Sequence, residues 1–212
     1  MELSEAQALS PAVDGDGKAL ASSNKSQKKR AAVIRAAIEI INEKSYALAT
    51  MTDIAASLDL RDATLYYYYP SKQSLAFACP CHSLDRFDRF IAEAEAKPQS
   101  GAAKLENVIQ NFLTDSDRDG PLLYFGDYSY LASEQRDEIA LRARGLTERL
   151  EQILKDGIAD RSIAPCETAL VVNLLLGMII WLGKWTPSIE HLTVDRLMSA
   201  IRAFSFAGVT PR

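Results

Sequence analysis

Between residues 49 and 72 the chain gathers side chains suited to nucleic-acid contact: Thr50, Thr52, Arg61, Asp62, Thr64, Tyr66, Tyr67, Tyr68 and Lys72. An arginine guanidinium matches the paired acceptors of guanine, a carboxylate accepts from cytosine, and a threonine methyl packs on that of thymine. Arg61 and Asp62 are therefore candidate base readers, with Asp62 alternatively orienting Arg61, and Thr64 suits a thymine. Hydroxyls and ammonium groups suit phosphate oxygens, which position a protein without reading sequence. That use fits Tyr66 and Tyr68, and it fits Lys72 at a helix N-terminus, where the amides already favour an anion. Thr50 and Thr52 suit a backbone crossed nearby, and Tyr67 would point outward with Arg61, Asp62 and Thr64. The competing reading of Tyr66–Tyr69 is an aromatic core patch, and Tyr69 is the member that fits it best. Lys72 could equally be a solvated lysine.

Charge singles out the same region. The net charge is −4. Residues 25–72 carry eight basic against five acidic side chains, including the run Lys25, Lys28, Lys29 and Arg30. A short basic segment in an acidic chain suits a small polyanion-binding unit joined to a larger body. The basic run also serves simply as a soluble helix start.

The elements that must position these groups are helical. Val33, Ile34, Ala37, Ile38 and Ile41 recur at helical spacing. Thr50-Met51-Thr52-Asp53 reads as a capping box opening a short helix. The turn Leu58-Asp59-Leu60 leads to a second short helix over 61–68. Pro70 and Ser71 stop that helix and cap the next. Two short helices joined by three residues have the dimensions of a helix-turn-helix at about 49–68. Further helices are expected over 72–96, 102–114, 121–133, 137–159, 165–185 and 193–207, about nine in all, with no convincing strand. The chain thus reads as all-α: a disordered tail over 1–25, a three-helix reading unit over 26–72, and a helical body over 73–212.

Residues 30–75 resemble the DNA-binding domain of the TetR family. The resemblance rests on Ile34, Ala37, Ile41, Thr50, Asp53-Ile54-Ala55, Leu60, Thr64-Leu65-Tyr66, Tyr69, Ser71-Lys72 and Leu75. Asp156-Gly157-Ile158 and Ile163-Ala164-Pro165, ahead of a long apolar helix, look like the later part of many members. The family pattern has glycine where Ser45 and Asp59 stand, and phenylalanine where Tyr69 stands. Arg61 and Asp62 replace a Ser or Thr cap and a frequently basic position. The resemblance implies a cytoplasmic homodimeric regulator, most often a repressor, released from a palindromic operator by a small effector.

For the body it implies a four-helix dimer interface. Val171, Leu174, Leu175 and Leu182 from one helix and Leu197, Ile201 and Phe204 from the next are the candidates, and completion of a monomer core is the alternative. Apolar residues nearly encircle 165–185, which predicts burial on more than one side. An apolar effector pocket, which the family fold implies, would draw on Phe87, Phe112, Tyr124, Tyr128, Asn173, Met178 and Trp181; the aromatics serve equally as core. Pro80, inside the helix joining reader and body, predicts a kink that could link effector and DNA sites.

Other chemistry finds little support. No glycine-rich phosphate loop or nucleophile motif is present, and His82 and His191 have no partners at catalytic spacing. No cofactor or metal site is predicted. Cys79-Pro80-Cys81-His82 leaves a redox- or metal-sensing regulator as the alternative. Three cysteines imply no disulfide framework. The first residues carry neither a basic nor an apolar run, so no secretory signal is expected. The uncharged stretch 168–183 is shorter than the roughly 20 residues a membrane span needs.

Overall fold

The computed structural model describes residues 16–123 and 128–206. Among them are eight α-helices and no strand. They are α1 (Asp16–Leu48), α2 (Met51–Ser57), α3 (Asp62–Tyr68), α4 (Lys72–Glu95), α5 (Gly101–Asp119), α6 (Ser133–Ala159), α7 (Thr168–Trp185) and α8 (Val194–Ile201). A 3₁₀ turn (Thr186–Ser188) follows α7, and a π turn (Arg202–Phe206) follows α8.

Helix α1 starts ten residues before the Ser26 expected from periodicity. Residues 16–25 of the expected tail are therefore helical, and residues 1–15 lie outside the described ones. Ala-Leu-Ala at 19–21 and the lysines at 18 and 25 favour helix without any apolar stripe to reveal it. Near its other end α1 is bent at Ser45, where φ is 73° and ψ is 160°.

Two hydrophobic cores divide the chain. The smaller joins Val33, Ala37 and Ile38 of α1 to Ile54, Ala55, Leu65, Tyr68 and Tyr69, and takes Leu75 and Cys79 from the first turns of α4. The larger packs α4, α5, α6, α7 and α8 around Phe90, Ile91, Ile109 and Leu154. Helix α4 is therefore common to both and runs through Pro80 without interruption.

The helix expected over 121–133 is absent among the described residues of that span. Leu122 belongs to the larger core and Leu123 to the smaller. Adjacent side chains can face opposite ways only on extended backbone, because a helix turns successive residues by about 100°.

Two devices fix the body. Gly101 and Gly157 let α5 and α6 touch backbone to backbone: a Cβ on Gly101 would lie 2.3 Å from the Gly157 Cα. Just beyond, the Asp160 carboxylate and the Ser162 hydroxyl accept from the amides of Gly101 and Ala102 at 2.8 and 3.0 Å, closing the start of α5. The second device is a buried ion pair. The Arg86 Nε donates to Asp115 at 2.7 Å and its Nη2 donates to the Gly120 carbonyl at 2.7 Å. Arg89 and Arg118 reach the other oxygen of Asp115 at 2.6 and 3.0 Å.

Candidate nucleic-acid interface and effector cavities

The capping box expected at Thr50 is formed. The Thr50 hydroxyl accepts from the Asp53 amide at 3.0 Å, and the Thr50 amide donates to the Asp53 carboxylate at 3.1 Å. The Thr50 side chain first, then its amide and Lys44 at 3.5 Å, hold the Asp53 carboxyl below its usual range. The turn after α2 closes when the amides of Leu58 and Leu60 both donate to the Ala55 carbonyl, with Asp59 at φ 53°. Ala55 has no exposed surface and its small side chain admits α3.

Helix α3 buries Leu65 and turns Arg61, Asp62, Ala63, Tyr66 and Tyr67 outward, Tyr67 with 79 % of its surface exposed. Thr64 is half-buried. The Thr52 hydroxyl donates to the Asp62 carboxylate at 2.7 Å, lacing α2 to the start of α3. Asp62 is therefore oriented by Thr52. Tyr68 is only 9 % exposed and its ring belongs to the core, three positions after Leu65 on the same face. Tyr69 is buried as expected, with the Arg30 guanidinium 5.6 Å above its ring. Lys28 and Lys29 beside it are exposed.

Lys72 is half-buried rather than solvated. Its ammonium sits 4.2 Å over the Tyr46 ring and donates to the Ala47 carbonyl at 3.4 Å, pinning α4 to the end of α1. Tyr46 stacks on Tyr130 of the body at 3.7 Å between ring centres. The seam between reader and body has further ties. Asn42 Nδ2 donates to the Leu122 carbonyl at 2.9 Å, Lys184 donates to the Asn42 carbonyl at 3.2 Å, and Arg35 pairs with Asp119 at 3.4 Å. A cleft of about 760 Å³ lies along this seam, lined by 41–47, Leu123, 128–130 and Lys184.

The effector candidates separate. Phe87 and Phe112 are buried and each lines a cavity: Phe87 one of about 180 Å³ between α4, α6 and α7, and Phe112 one of about 480 Å³ between α5, the end of α7 and α8. Tyr128 lines the seam cleft instead, its hydroxyl buried without a partner and its pKa raised by burial. Tyr124 lies outside the described residues. Met178 packs against the core and accepts from the Ser205 hydroxyl at 3.5 Å. Asn173 and Trp181 are corrections. Both stand on the outer face of α7, where Asn173 donates back to the Ala169 carbonyl at 2.8 Å and Trp181 is 58 % exposed.

Within the protomer only one side of α7 is covered. Leu170, Leu174, Trp181 and Trp185 are exposed along it, Leu174 to 74 %, and Gly177 has open space in front of it. Phe204 is 81 % exposed. Among the interface candidates, Leu174 and Phe204 face outward; Val171, Leu175 and Leu197 are half-buried; Leu182 and Ile201 are buried in the protomer's own core and cannot meet a partner there. Residues 168–188 are long and apolar enough to cross a membrane by length and composition, with 17 % of the stretch buried.

Cys79 is buried and Cys81 half-buried, both as free thiols. Burial pushes Cys79 up to about 12 and raises Cys81 as well. Among the described residues no three His, Cys, Asp or Glu side chains converge on a metal-sized site.

Residues 98–209 match the family described as "Tetracyclin repressor-like, C-terminal domain", and residues 33–79 match "Bacterial regulatory proteins, tetR family". No curated protein sequence matches. Solved structures share the fold. A tetR-family regulatory protein from Rhodococcus RHA1 is 24 % identical, with TM-score 0.68, over 87 % of this chain and 98 % of its own. The ketosteroid transcriptional regulator KstR2 of Mycobacterium tuberculosis is 17 % identical, with TM-score 0.74, over 87 % and 96 %. AibR, solved with isovaleryl coenzyme A and operator DNA, is 21 % identical, with TM-score 0.68, over 81 % and 95 %.

Proposed function

The chain belongs to the TetR family of transcriptional regulators, and we propose from that premise that it binds a palindromic operator as a homodimer and lets go when a small, largely apolar effector fills its body. It works in the cytoplasm as a binding protein and not as an enzyme. The observation that carries this reading is the outward face of α3: Arg61, Asp62, Tyr66 and Tyr67 stand exposed on a helix locked to α2 by Thr52 and to the core by Leu65. A reading helix must be rigid and must offer unspent donors, and Arg61 does so at its start. Thr50 and Thr52 sit where α2 would cross the phosphate backbone.

Pairing follows from α7. Its inner side is seated in the larger core by Val172, Ile179 and Leu182, so lipid cannot surround it. Its outer stripe of Leu170, Leu174, Trp181 and Trp185 is too apolar to leave wet, and the same stripe of a second copy covers it. Two reading helices then sum their contacts on half-sites roughly 34–36 Å apart.

Release is a population shift. The effector favours a dimer whose reading helices are wrongly spaced. The ties at the seam, Asn42 to Leu122, Lys184 to Asn42 and Arg35 to Asp119, are how the body holds the reader. Selection of bound duplexes from a random pool tests the reading: a twofold-symmetric site is expected to be enriched, and an unenriched pool overturns it.

A further inference from the structure

The two cavities of the body share walls. The outer one, about 480 Å³, lies among the last turns of α5, Pro121 and Leu122, the end of α7 and the start of α8. The inner one, about 180 Å³, is bounded by Leu84, Phe87, Ala143, Leu146, Thr147 and Leu176. Leu122 and Ile180 line both and form the partition. The chambers differ in chemistry. Thr147 is the single polar side chain lining the inner one, whereas Ser116, Asp117, Thr186, His191 and Thr193 line the outer. Among the described residues, neither is lined by a lysine or an arginine. The Ser116 hydroxyl is buried with no hydrogen-bond partner, which a folded protein rarely tolerates without a use for it.

We propose that these two chambers form one site for a single-chain amphiphile with an uncharged, hydrogen-bonding head of the ester, amide or ketone class. The head sits in the outer chamber beside Ser116, whose hydroxyl turns toward it, and the hydrocarbon chain passes Leu122 and Ile180 into the inner one. Among the described lining residues a carboxylate head finds no lysine or arginine, only His191, and it faces Asp117. The chain must turn the Leu122 side chain, and the carbonyl of that same residue accepts from Asn42 of the reader. Occupancy of the site and the hold on the reader thus converge on one residue. The proposal rests on the effector reading above but is measured without DNA.

The test is calorimetric titration of the full-length protein with methyl esters of straight-chain acids of four to twelve carbons, the matching free carboxylates, and alkyltrimethylammonium ions of the same lengths. Esters are expected to bind, with affinity rising with length until the inner chamber is full and then falling, with the carboxylates at least ten-fold weaker, and with the ammonium ions, which Asp117 attracts but which accept no hydrogen bond from Ser116, weaker than the esters. Ser116→Ala is expected to weaken the esters about three- to ten-fold while keeping the length dependence. Ile180→Trp blocks the partition and should abolish that dependence. Ile180→Ala widens it without overfilling the core and should tighten the longer esters. Esters that fail to bind, a charged series that binds as tightly, or a length dependence indifferent to residue 180 would each overturn the proposal. Ester binding by a protein that enriches no DNA site would instead sink the operator reading alone.

Discussion

Ser45 occupies backbone that suits glycine, and its replacement offers a sharp test of how the reader is built. At φ 73° and ψ 160° it lies in a region other residues enter at a cost of about 1–3 kcal/mol. Glycine relieves that strain but loses more chain entropy on folding, about 0.5–1 kcal/mol. Ser45→Gly should therefore stabilise the protein by a net of about 0–2.5 kcal/mol. At this chain length each kcal/mol moves Tm by about 2–4 °C. Asp59, at φ 53°, lies in the left-handed region that aspartate tolerates better, so Asp59→Gly should gain less. Thermal unfolding of full-length protein followed by circular dichroism, at one fixed concentration, reads both. Destabilisation by Ser45→Gly, or a larger gain from Asp59→Gly, would refute the reasoning.

Asn42→Ala removes the tie to the Leu122 carbonyl; effector binding should persist while its effect on DNA affinity shrinks, checked by gel shift with and without effector. Asp115→Asn leaves the Arg86, Arg89 and Arg118 guanidinium groups facing a neutral amide, and should cost about 3–5 kcal/mol in chemical denaturation. Because burial, and then Arg86, lower the pKa of His82, the unfolded chain takes up the proton first. Stability should therefore fall as pH drops below about 6.5, and more steeply than in His82→Gln, in a pH series of melting curves. Cys79 should resist thiol reagents at pH 8 in the native state, with DNA binding indifferent to mild oxidant; rapid labelling would revive the redox alternative.

Much of the reader was legible because its signals are local. The Thr50–Asp53 box, the Ser71 cap and the two positions where glycine was expected all concern backbone within a few residues, and Ser45 and Asp59 do adopt positive φ. The burial of the Tyr68 ring was not legible, because a run of four tyrosines hides which one shares the face of Leu65. The body was less legible. Pro121-Leu122-Leu123 looks like the start of a helix, yet its two leucines serve opposite cores, a demand set by tertiary packing alone. The cavity walls come from α4, α5, α6, α7 and α8, so no spacing in the sequence announces Ser116 or Ile180. On α7 an apolar circumference said that both sides want cover, but not which side the protomer covers itself.

The most direct test of the account is dimethyl sulfate protection of guanine N7 on a selected duplex, since N7 lies in the major groove where α3 is placed. Two twofold-related clusters of protection are expected, roughly 34–36 Å apart, with Arg61→Ala losing one symmetric position and Tyr66→Ala weakening all sequences alike. Bound protein that protects no major-groove guanine, or a pattern untouched by Arg61→Ala, would contradict it.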